Sequence, residues 1–268
     1  MALPVSRTPE PWACAVVIPA HDEAELIGRS LGSVLRSLEV AVDAGWVRSD
    51  AAAVVVVVDS CRDMTSAIAS QAIAATPGVQ GRVVTCEARN VGRARRIGTD
   101  VAIEMLGGVQ SQRCWLANTD ADTIVPSSWL IRHLLAAESG VAALAGVVQV
   151  DSFAAHAAHV ESAFVEAYEL SPDGSHPHVH GANLGVRLDA YLAAGGWHDD
   201  ALAEDHALWN RVRSLGRPMV STTRSTVTTS GRRVGRAPGG FADSLRKLDV
   251  APGRVDSGRS QVHVDGVA

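Results

Sequence analysis

The sequence predicts an α/β fold built on a mainly parallel, Rossmann-like sheet flanked by helices. Apolar β-branched runs alternate four times with helical stretches in the first half of the chain, an order typical of parallel sheets with right-handed crossovers. The run AAAVVVVVD is apolar at every position before its aspartate, as in strands buried on both faces. Each predicted strand ends in polar, mostly acidic residues.

The elements follow one another in a regular order. The run from Cys14 to Ile18 is stopped by Pro19 and predicts the first strand. An apolar stripe of helical period follows and predicts an amphipathic helix through Leu26, Ile27, Ser30, Leu31, Val34, Leu35 and Leu38. The next predicted elements are the strand AAAVVVVVD, a helix from about Thr65, the strand RVVTC, a helix from Arg93 to about Met105, the strand CWLANTDAD, and the helix SSWLIRHLLAAES with Ser127 or Ser128 as its cap.

The basic residues are almost all arginine, since Lys247 is the one lysine among 24 basic residues. Walker-type phosphate loops, Schiff-base enzymes and protein kinases each need a lysine in a context that GGFADSLRKLD does not provide. An anionic ligand would therefore be held by arginine, backbone amides or a metal ion. The formal charge of −5 argues against general nucleic-acid binding.

The cysteines and the hydropathy pattern predict a cytoplasmic protein. Cys14, Cys61, Cys86 and Cys114 are widely spaced without a CxxC pair, which favours reduced thiols. No apolar run approaches the roughly 20 residues of a membrane span, and the N-terminus lacks the continuous apolar core of a signal peptide. A peripheral membrane contact stays open.

Acidic residues are placed where a parallel sheet binds ligands, beyond the carboxyl ends of its strands. In NTDADT, Asp120 and Asp122 could jointly hold Mg²⁺ or Mn²⁺, which would bridge a diphosphate; a solvated acidic turn is the alternative. Glu204 and Asp205 open a predicted helix, where the helix dipole also favours acids. No GxGxxG follows the first strand, and no GxSxG is present.

Six short segments stand in order along the chain: VVIPAHDEAELIGRSLGSVL, VVVVDSCRDMT, ARNVGRARRIGTDVA, NTDADT, GANLGVRLDAYLAAGGW and AEDHALWNRVRSLG. Together they resemble glycosyltransferase family 2, the inverting nucleotide-sugar transferases of the GT-A fold, and the resemblance runs from about Ala13 to Leu245. The sequence departs from the family pattern where His21-Asp22 replaces an aromatic-Asn pair and DSCRD replaces a doubled acid. The Q-x-x-R-W motif of processive polysaccharide synthases is missing.

The resemblance implies roles for individual residues. The opening loop and the end of the second strand would bind the nucleotide. The D-x-D motif would bind the metal and the sugar end of the donor, and the pair Glu204-Asp205 would act on the acceptor. The implied nucleotide contacts are Pro19, Ala20, Asp22, Glu23 and Asp59, with Arg89 nearby and Asp120 on the ribose or sugar side. Asp122 would bind the metal together with Asp120. Asp205 would deprotonate the acceptor hydroxyl, and Glu204 would position Asp205 or contact the acceptor. The floor of the acceptor site would be formed by Gly181, Ala182 and Asn183.

Three further features carry expectations with open alternatives. The segment SGRRVGRAPGG, with Arg232, Arg233 and Arg236, is expected to close over the diphosphate, unless it is a solvated basic loop. Trp197 either stacks on a sugar, in the acceptor site, or fills the core, whereas the helical stripe of Trp209 favours the core. His180, His198 and His206 are candidates for a third metal ligand.

The sequence thus predicts a Mn²⁺- or Mg²⁺-dependent transferase that moves a sugar from a UDP- or GDP-type donor to a hydroxyl of a small or lipid-like acceptor, with inversion. A retaining relative similar to glucosyl-3-phosphoglycerate synthase and a non-catalytic nucleotide-sugar-binding protein are the alternatives. Residues 1–125 would form the nucleotide-sugar half, 126–250 the acceptor and catalytic half, and 251–268 a disordered tail. A homodimer is compatible with the sequence.

Overall fold

The computed structural model describes residues 10–199, 203–236 and 240–249, so the predicted tail at 251–268 lies outside the described residues. The described part is a single eight-stranded sheet with helices on both faces. Its strands are β1 Trp12–Ala20, β2 Val47–Asp59, β3 Gln80–Cys86, β4 Cys114–Asn118, β5 Thr123–Ile124, β6 Ala143–Val150, β7 Leu184–Arg187 and β8 Met219–Thr229. Its helices are α1 Ile27–Asp43, α2 Thr65–Ala74, α3 Val91–Leu106, α4 Trp129–Glu138, α5 Val160–Ala167, α6 Leu188–Ala193, α7 Glu204–Ser214 and α8 Phe241–Leu248.

The sheet has the strand order β3-β2-β1-β4-β7-β6-β8-β5. The pairs β3–β2, β2–β1, β1–β4 and β6–β8 are parallel, whereas β7 runs antiparallel to both β4 and β6, and β5 antiparallel to β8. The predicted α/β class with a mainly parallel sheet is confirmed. Because residues of both predicted halves share one sheet, the division near residue 125 stays a prediction.

Two apolar clusters cover the two faces of the sheet. Along β1, Val16 and Ile18 pack with α1 and α4, and Ala15 and Val17 pack with α3 and α7. The stripe predicted for α1 is buried from Ile27 to Leu38. No helix in the described ranges has the length and hydropathy needed to cross a membrane.

Several boundaries differ from the sequence prediction at helix and strand ends. The strand predicted as CWLANTDAD ends at Asn118, because the acidic residues turn out of the sheet before β5. Ser128 occupies the first cap position of α4, but its side chain makes no capping hydrogen bond. Helical spacing after Leu208, Trp209 and Val212 predicts that Leu215 continues the buried stripe of α7, but Leu215 is 40% exposed just after that helix.

Candidate active site

Backbone strain is concentrated at the carboxyl edge of the sheet. Among the described residues, four that are not glycine have a positive φ: Asp22 (49°), Ser60 (55°), Arg89 (49°) and Ala203 (57°). The first three lie within three residues of the ends of β1, β2 and β3, and the fourth immediately precedes α7. A positive φ costs free energy in residues with a Cβ, and such residues cluster at functional sites. The strained turns therefore mark the same edge that the sequence predicts as the ligand crevice.

Asp59 fixes the loop that carries Arg89. Its carboxylate, 7% exposed by residue, accepts hydrogen bonds from the backbone N–H groups of Arg89 (2.9 Å) and Asn90 (3.3 Å) and from the hydroxyl of Ser60 (3.0 Å). Asn90 in turn caps α3, because its side-chain oxygen accepts from the N–H of Arg93 at 2.8 Å. Asp59 thus organises the turn, and the exposed Arg89 side chain stands at its surface.

The opening loop places Asp22 and Glu23 differently. The Asp22 carboxylate accepts from the backbone N–H of Arg62 at 2.7 Å, which joins the ends of β1 and β2. Glu23 is 5% exposed, and its N–H donates to the hydroxyl of Thr65 at 2.8 Å. Glu23 therefore points inward at a fixed position, whereas Asp22 closes the loop.

The D-x-D turn is held by hydroxyl groups from three segments. Ser30 of α1 donates to the carbonyl of Asp120 at 2.9 Å. Thr123 and Thr229 donate to one oxygen of Asp122 at 3.4 and 3.3 Å. Burial, followed by the charge of Asp120, raises the pKa of Asp122 to about 6, and the charge of Arg232 opposes this shift. The D-x-D turn is thus held in place and concentrates negative charge.

The positively charged guanidinium of Arg232 lies against the carboxylates of Glu23 and Asp122. It forms a two-pronged pair with Glu23, at 2.6 Å to each carboxylate oxygen, and lies 2.9 Å from an oxygen of Asp122. Arg232 is thus the arginine of the SGRRVGRAPGG segment that reaches the acidic edge, and closure of the segment over a diphosphate stays a prediction. Arg233 pairs instead with Asp249 at 3.3 Å, and Arg236 is exposed.

The segment that carries Arg232 is anchored from behind. The N–H of Gly231 donates to Asp151 at 2.8 Å, and its carbonyl lies 2.9 Å from Nε2 of His156. Nδ1 of the same fully buried imidazole lies 3.0 Å from the carboxylate of Asp249. Contacts to the N–H and to the carbonyl of Gly231 therefore hold the arginine segment in place in this structure.

Arg95 is a site residue that the sequence analysis did not single out. It lies on the buried face of α3 with its side chain 2% exposed. Its guanidinium pairs with Asp120 at 2.6 Å and with Glu204 at 3.4 Å, and lies 5.5 Å from the ring centroid of Trp197. A charged residue on an otherwise apolar helix stripe was the signal available in the sequence.

Glu204 and Asp205 open α7 as predicted, and their environments differ. Burial raises the pKa of Glu204, while the charge of Arg95 opposes that shift. Asp205 is half-buried and accepts from the N–H of Gly181 at 2.8 Å through one oxygen, and from its neighbour His206 N–H at 2.7 Å through the other. One carboxylate is thus held inside next to a cation, and the other lies at the turn that follows His180.

The predicted acceptor residues divide into two groups. Gly181 and Ala182 form the short turn against which Asp205 rests. Asn183 is fully buried, and its amide contacts Trp129, His133, Ser225 and the Val147 carbonyl, so its hydrogen bonds are used inside the core. Trp197 is 1% exposed and also lies in the core, as does Trp209. The core alternative therefore describes both tryptophans, and Asn183 supports the turn from below.

None of the three candidate histidines contacts the D-x-D carboxylates among the described residues. Nε2 of His180 lies 3.1 Å from the hydroxyl oxygen of Tyr168, which accepts from the Val148 N–H at 3.0 Å. Burial, followed by the neighbouring His178, lowers the pKa of His180 to about 3. His198 and His206 are exposed. His180 is thus a neutral member of a ring stack that also includes Tyr168 and His178.

The acidic edge carries oxygen ligands of the kind that a hard divalent cation prefers. Glu23, Asp120 and Asp122 all present carboxylate oxygens, and two of them already bind the cationic group of Arg232. A separate group, Asp22, Cys61 and Asp63, has its ligand atoms within 4.8 Å of one another. Its aspartates are engaged by the loop itself, since Asp22 accepts from Arg62 N–H and Asp63 from Thr65 N–H at 2.9 Å.

The strand order and the carboxylate-lined edge define an α/β fold of the GT-A type. The chain belongs to a glycosyltransferase family, since the family model described as glycosyltransferase like family 2 matches residues 10–242. The predicted family is confirmed. The search of curated proteins gave no significant match.

Solved structures with this fold share little sequence with the chain. The mannosyltransferase PcManGT from Pyrobaculum calidifontis, solved with GDP-Man and Mn²⁺, is 17% identical with a TM-score of 0.61, over 88% of this chain and 68% of that one. TarS 1-349 from S. aureus with UDP-GlcNAc is 12% identical with a TM-score of 0.59, over 88% and 64%. GalNAc-T7, solved with UDP, GalNAc and Mn²⁺, is 15% identical with a TM-score of 0.57, over 84% and 45%. The chain thus spans less than two thirds of the TarS fragment.

Proposed function

We propose that this protein transfers a sugar from a UDP- or GDP-type donor to a hydroxyl group of a small or lipid-like acceptor, with inversion and with Mn²⁺ or Mg²⁺ as cofactor. The observation that carries the proposal is the placement of Glu23 and Asp122 around the guanidinium of Arg232 at the carboxyl edge of the sheet, with Asp120 in the same turn as Asp122. The relatives crystallised with GDP-Man and Mn²⁺ and with UDP-GlcNAc support the donor class.

On the donor side, the residues of the opening loop and of the second and third strand ends would hold the nucleoside. Asp59 keeps the 89–90 turn in place, so that Arg89 can reach the ligand. Asp122 and Asp120 would bind the cation, which would neutralise negative charge as the diphosphate leaves. Arg232 would then be released from Glu23 and would pair with diphosphate oxygens, because guanidinium groups bind phosphate in the same forked geometry as carboxylate.

On the acceptor side, Asp205 would act as the general base. Its two oxygens accept backbone hydrogen bonds from the Gly181 turn and from α7, which fixes the carboxylate in orientation. As the acceptor oxygen attacks the anomeric carbon, Asp205 would take its proton, and the bond from that carbon to the diphosphate oxygen would break on the opposite face. Glu204 lies inside, beside Arg95, and would position the base rather than exchange protons with the acceptor.

The first experiment measures donor binding. Titration calorimetry with UDP-, GDP- and dTDP-sugars, with and without Mn²⁺, is expected to show one nucleotide that binds in a metal-dependent manner. Absence of binding to every nucleotide under all metal conditions would overturn the proposal.

The second experiment separates binding from turnover. Asp205→Asn should reduce sugar transfer, or donor hydrolysis where no acceptor is known, by about 100-fold to 10,000-fold, while nucleotide affinity stays unchanged. Asp173→Asn is the matched control, since Asp173 is exposed and its carboxylate accepts hydrogen bonds from Ser175. Unchanged turnover in Asp205→Asn would remove Asp205 as the base, and an α-product from an α-donor would contradict inversion.

A further inference from the structure

Arg95 is a buried cation shared by two segments. Its side chain is 2% exposed, and burying an unpaired guanidinium would cost several kcal/mol. Asp120 and Glu204 compensate the charge from opposite sides, one from the D-x-D turn and the other from the first turn of α7. Nη1 of Arg95 has no hydrogen-bond partner among the described residues. The guanidinium is therefore incompletely bonded, and two carboxylates from different segments share it through Nη2 and Nε.

The two pairings are unequal in this structure. The distance from Arg95 to Asp120 is 2.6 Å, and the distance to Glu204 is 3.4 Å, beyond an ordinary charge-assisted hydrogen bond. Asp120 is 36% exposed in its side chain and accessible to a ligand, whereas Glu204 is 9% exposed. A cation that binds Asp120 would weaken its hold on Arg95, and the guanidinium would then move onto Glu204.

Close packing transmits that movement to the acceptor side. A Cβ on Gly181 would lie 2.4 Å from Nη2 of Arg95, so the turn and the guanidinium are already in contact. The N–H of Gly181 is the group that holds Asp205. A shift of Arg95 thus acts on the segments on both sides of the predicted base.

We infer that Arg95 is a positioning residue that couples occupation of the D-x-D turn to the placement of Glu204 and the Gly181 turn. The inference rests on the proposed function, since it takes the D-x-D turn as the cation and nucleotide site. Arg95 touches neither the reacting atoms nor the nucleotide in this scheme. It acts by exchanging one carboxylate partner for the other, so that donor binding tightens the acceptor side.

A double-mutant cycle on nucleotide affinity tests the coupling. The ligand is Mn²⁺ with UDP or GDP, whichever the wild-type protein binds, and the measurement is titration calorimetry. Glu204→Gln should weaken binding at least fivefold, because Arg95 is then left to Asp120 alone and competes more strongly with the cation. In the Arg95→Met background the same Glu204→Gln change should have less than a twofold effect. Pairs that share a partner are expected to be non-additive in this way.

Two further variants guard against a merely structural explanation. Arg95→Lys keeps the charge, and should restore part of the Glu204→Gln effect seen in the wild-type background. Arg187→Met removes an arginine that pairs with Asp189 at 2.6 Å and with none of the site carboxylates, and should leave the Glu204→Gln effect at full size. If Arg95→Met does not fold, the Arg95→Lys cycle carries the test by itself.

The outcomes separate the two proposals. Equal Glu204→Gln effects in the wild-type, Arg95→Lys and Arg95→Met backgrounds would overturn the coupling while leaving the proposed function in place. A wild-type protein that binds no nucleoside diphosphate with Mn²⁺ would overturn the proposed function, and the coupling with it.

Discussion

Arg232 binds Glu23 through two hydrogen bonds of 2.6 Å, so a side chain from the segment after β8 neutralises a buried carboxylate of the opening loop. The same guanidinium lies 2.9 Å from Asp122. A divalent cation that approaches these carboxylates therefore meets an internal competitor. The competition has measurable consequences for metal binding in the absence of nucleotide.

Replacing Arg232 with glutamine should strengthen the binding of Mn²⁺ alone. The carboxylates lose their internal cation, and we expect affinity to rise about tenfold, which corresponds to roughly 1.4 kcal/mol. The unfolding free energy without metal should fall by about 1 to 3 kcal/mol, since Glu23 stays buried without its partner while Arg232 itself is partly exposed. Calorimetry with Mn²⁺ and thermal denaturation measure the two effects.

Arg233→Gln is the matched control for this prediction. Its guanidinium pairs with Asp249 rather than with the D-x-D turn, so Mn²⁺ affinity should stay at the wild-type value. An Arg232→Gln protein that binds Mn²⁺ no better than Arg233→Gln would contradict the competition.

Adding a methyl group at Gly181 should disturb the site through Arg95. The new Cβ would lie 2.4 Å from Nη2 and 2.8 Å from Cζ of a guanidinium that Asp120 and Glu204 hold in place. Overpacking of this kind costs about 1 to 3 kcal/mol. Gly181→Ala should therefore lower the melting temperature and weaken nucleotide binding.

Gly32→Ala provides the comparison, since no atom lies within 4 Å of a Cβ at that position in α1. Alanine there should be neutral or stabilising by up to about 1 kcal/mol, because it favours the helix. Equal stability of Gly181→Ala and Gly32→Ala would show that the Gly181 turn rearranges without loss of stability, and would contradict the prediction.

The first half of the fold was predictable because its signals are local. The apolar stripe from Ile27 to Leu38 and the run that becomes β2 depend on short periods in the sequence. The insertion of β7 between β4 and β6 depends on pairings between distant segments, and no local pattern specifies it. The strand-end rule and the resemblance selected the candidate carboxylates, which the structure places at one edge of the sheet. The arginine that turns inward could not be predicted, since an irregular loop has no periodicity to distinguish Arg232 from Arg233.

His133 should make stability depend on pH. It is fully buried between Trp115 and Trp129, and burial lowers its pKa to about 4, although the hydrogen bond to Asn183 opposes the shift. The unfolded chain has the ordinary value of 6.5, so unfolding takes up a proton between pH 6.5 and 4. Stability from this group is complete above pH 6.5 and is lost as the pH falls to 4, by about 3 kcal/mol.

The measurement is the unfolding free energy in urea at several pH values, for the wild-type protein and His133→Gln. The variant should lose about 3 kcal/mol less than the wild-type protein between pH 7 and 4. His206→Gln, at an exposed position, should follow the wild-type curve. Parallel curves for the wild-type protein and His133→Gln would exclude His133 as the source.

His156 should control the mobility of the segment that carries Arg232. Its fully buried ring bridges the Gly231 carbonyl and the Asp249 carboxylate, at 2.9 and 3.0 Å. His156→Ala removes both contacts, so residues 231–236 would keep the Asp151 and Glu23 contacts and lose the support from behind. Hydrogen exchange followed by mass spectrometry should show faster exchange in this segment. His159→Ala removes a single contact to the Leu248 carbonyl and should leave exchange at 231–236 unchanged. In the wild-type protein the segment is held by Glu23 and Asp122 at the Arg232 guanidinium and by His156 at the backbone. Equal protection in the two variants would mean that the carboxylates alone hold the segment.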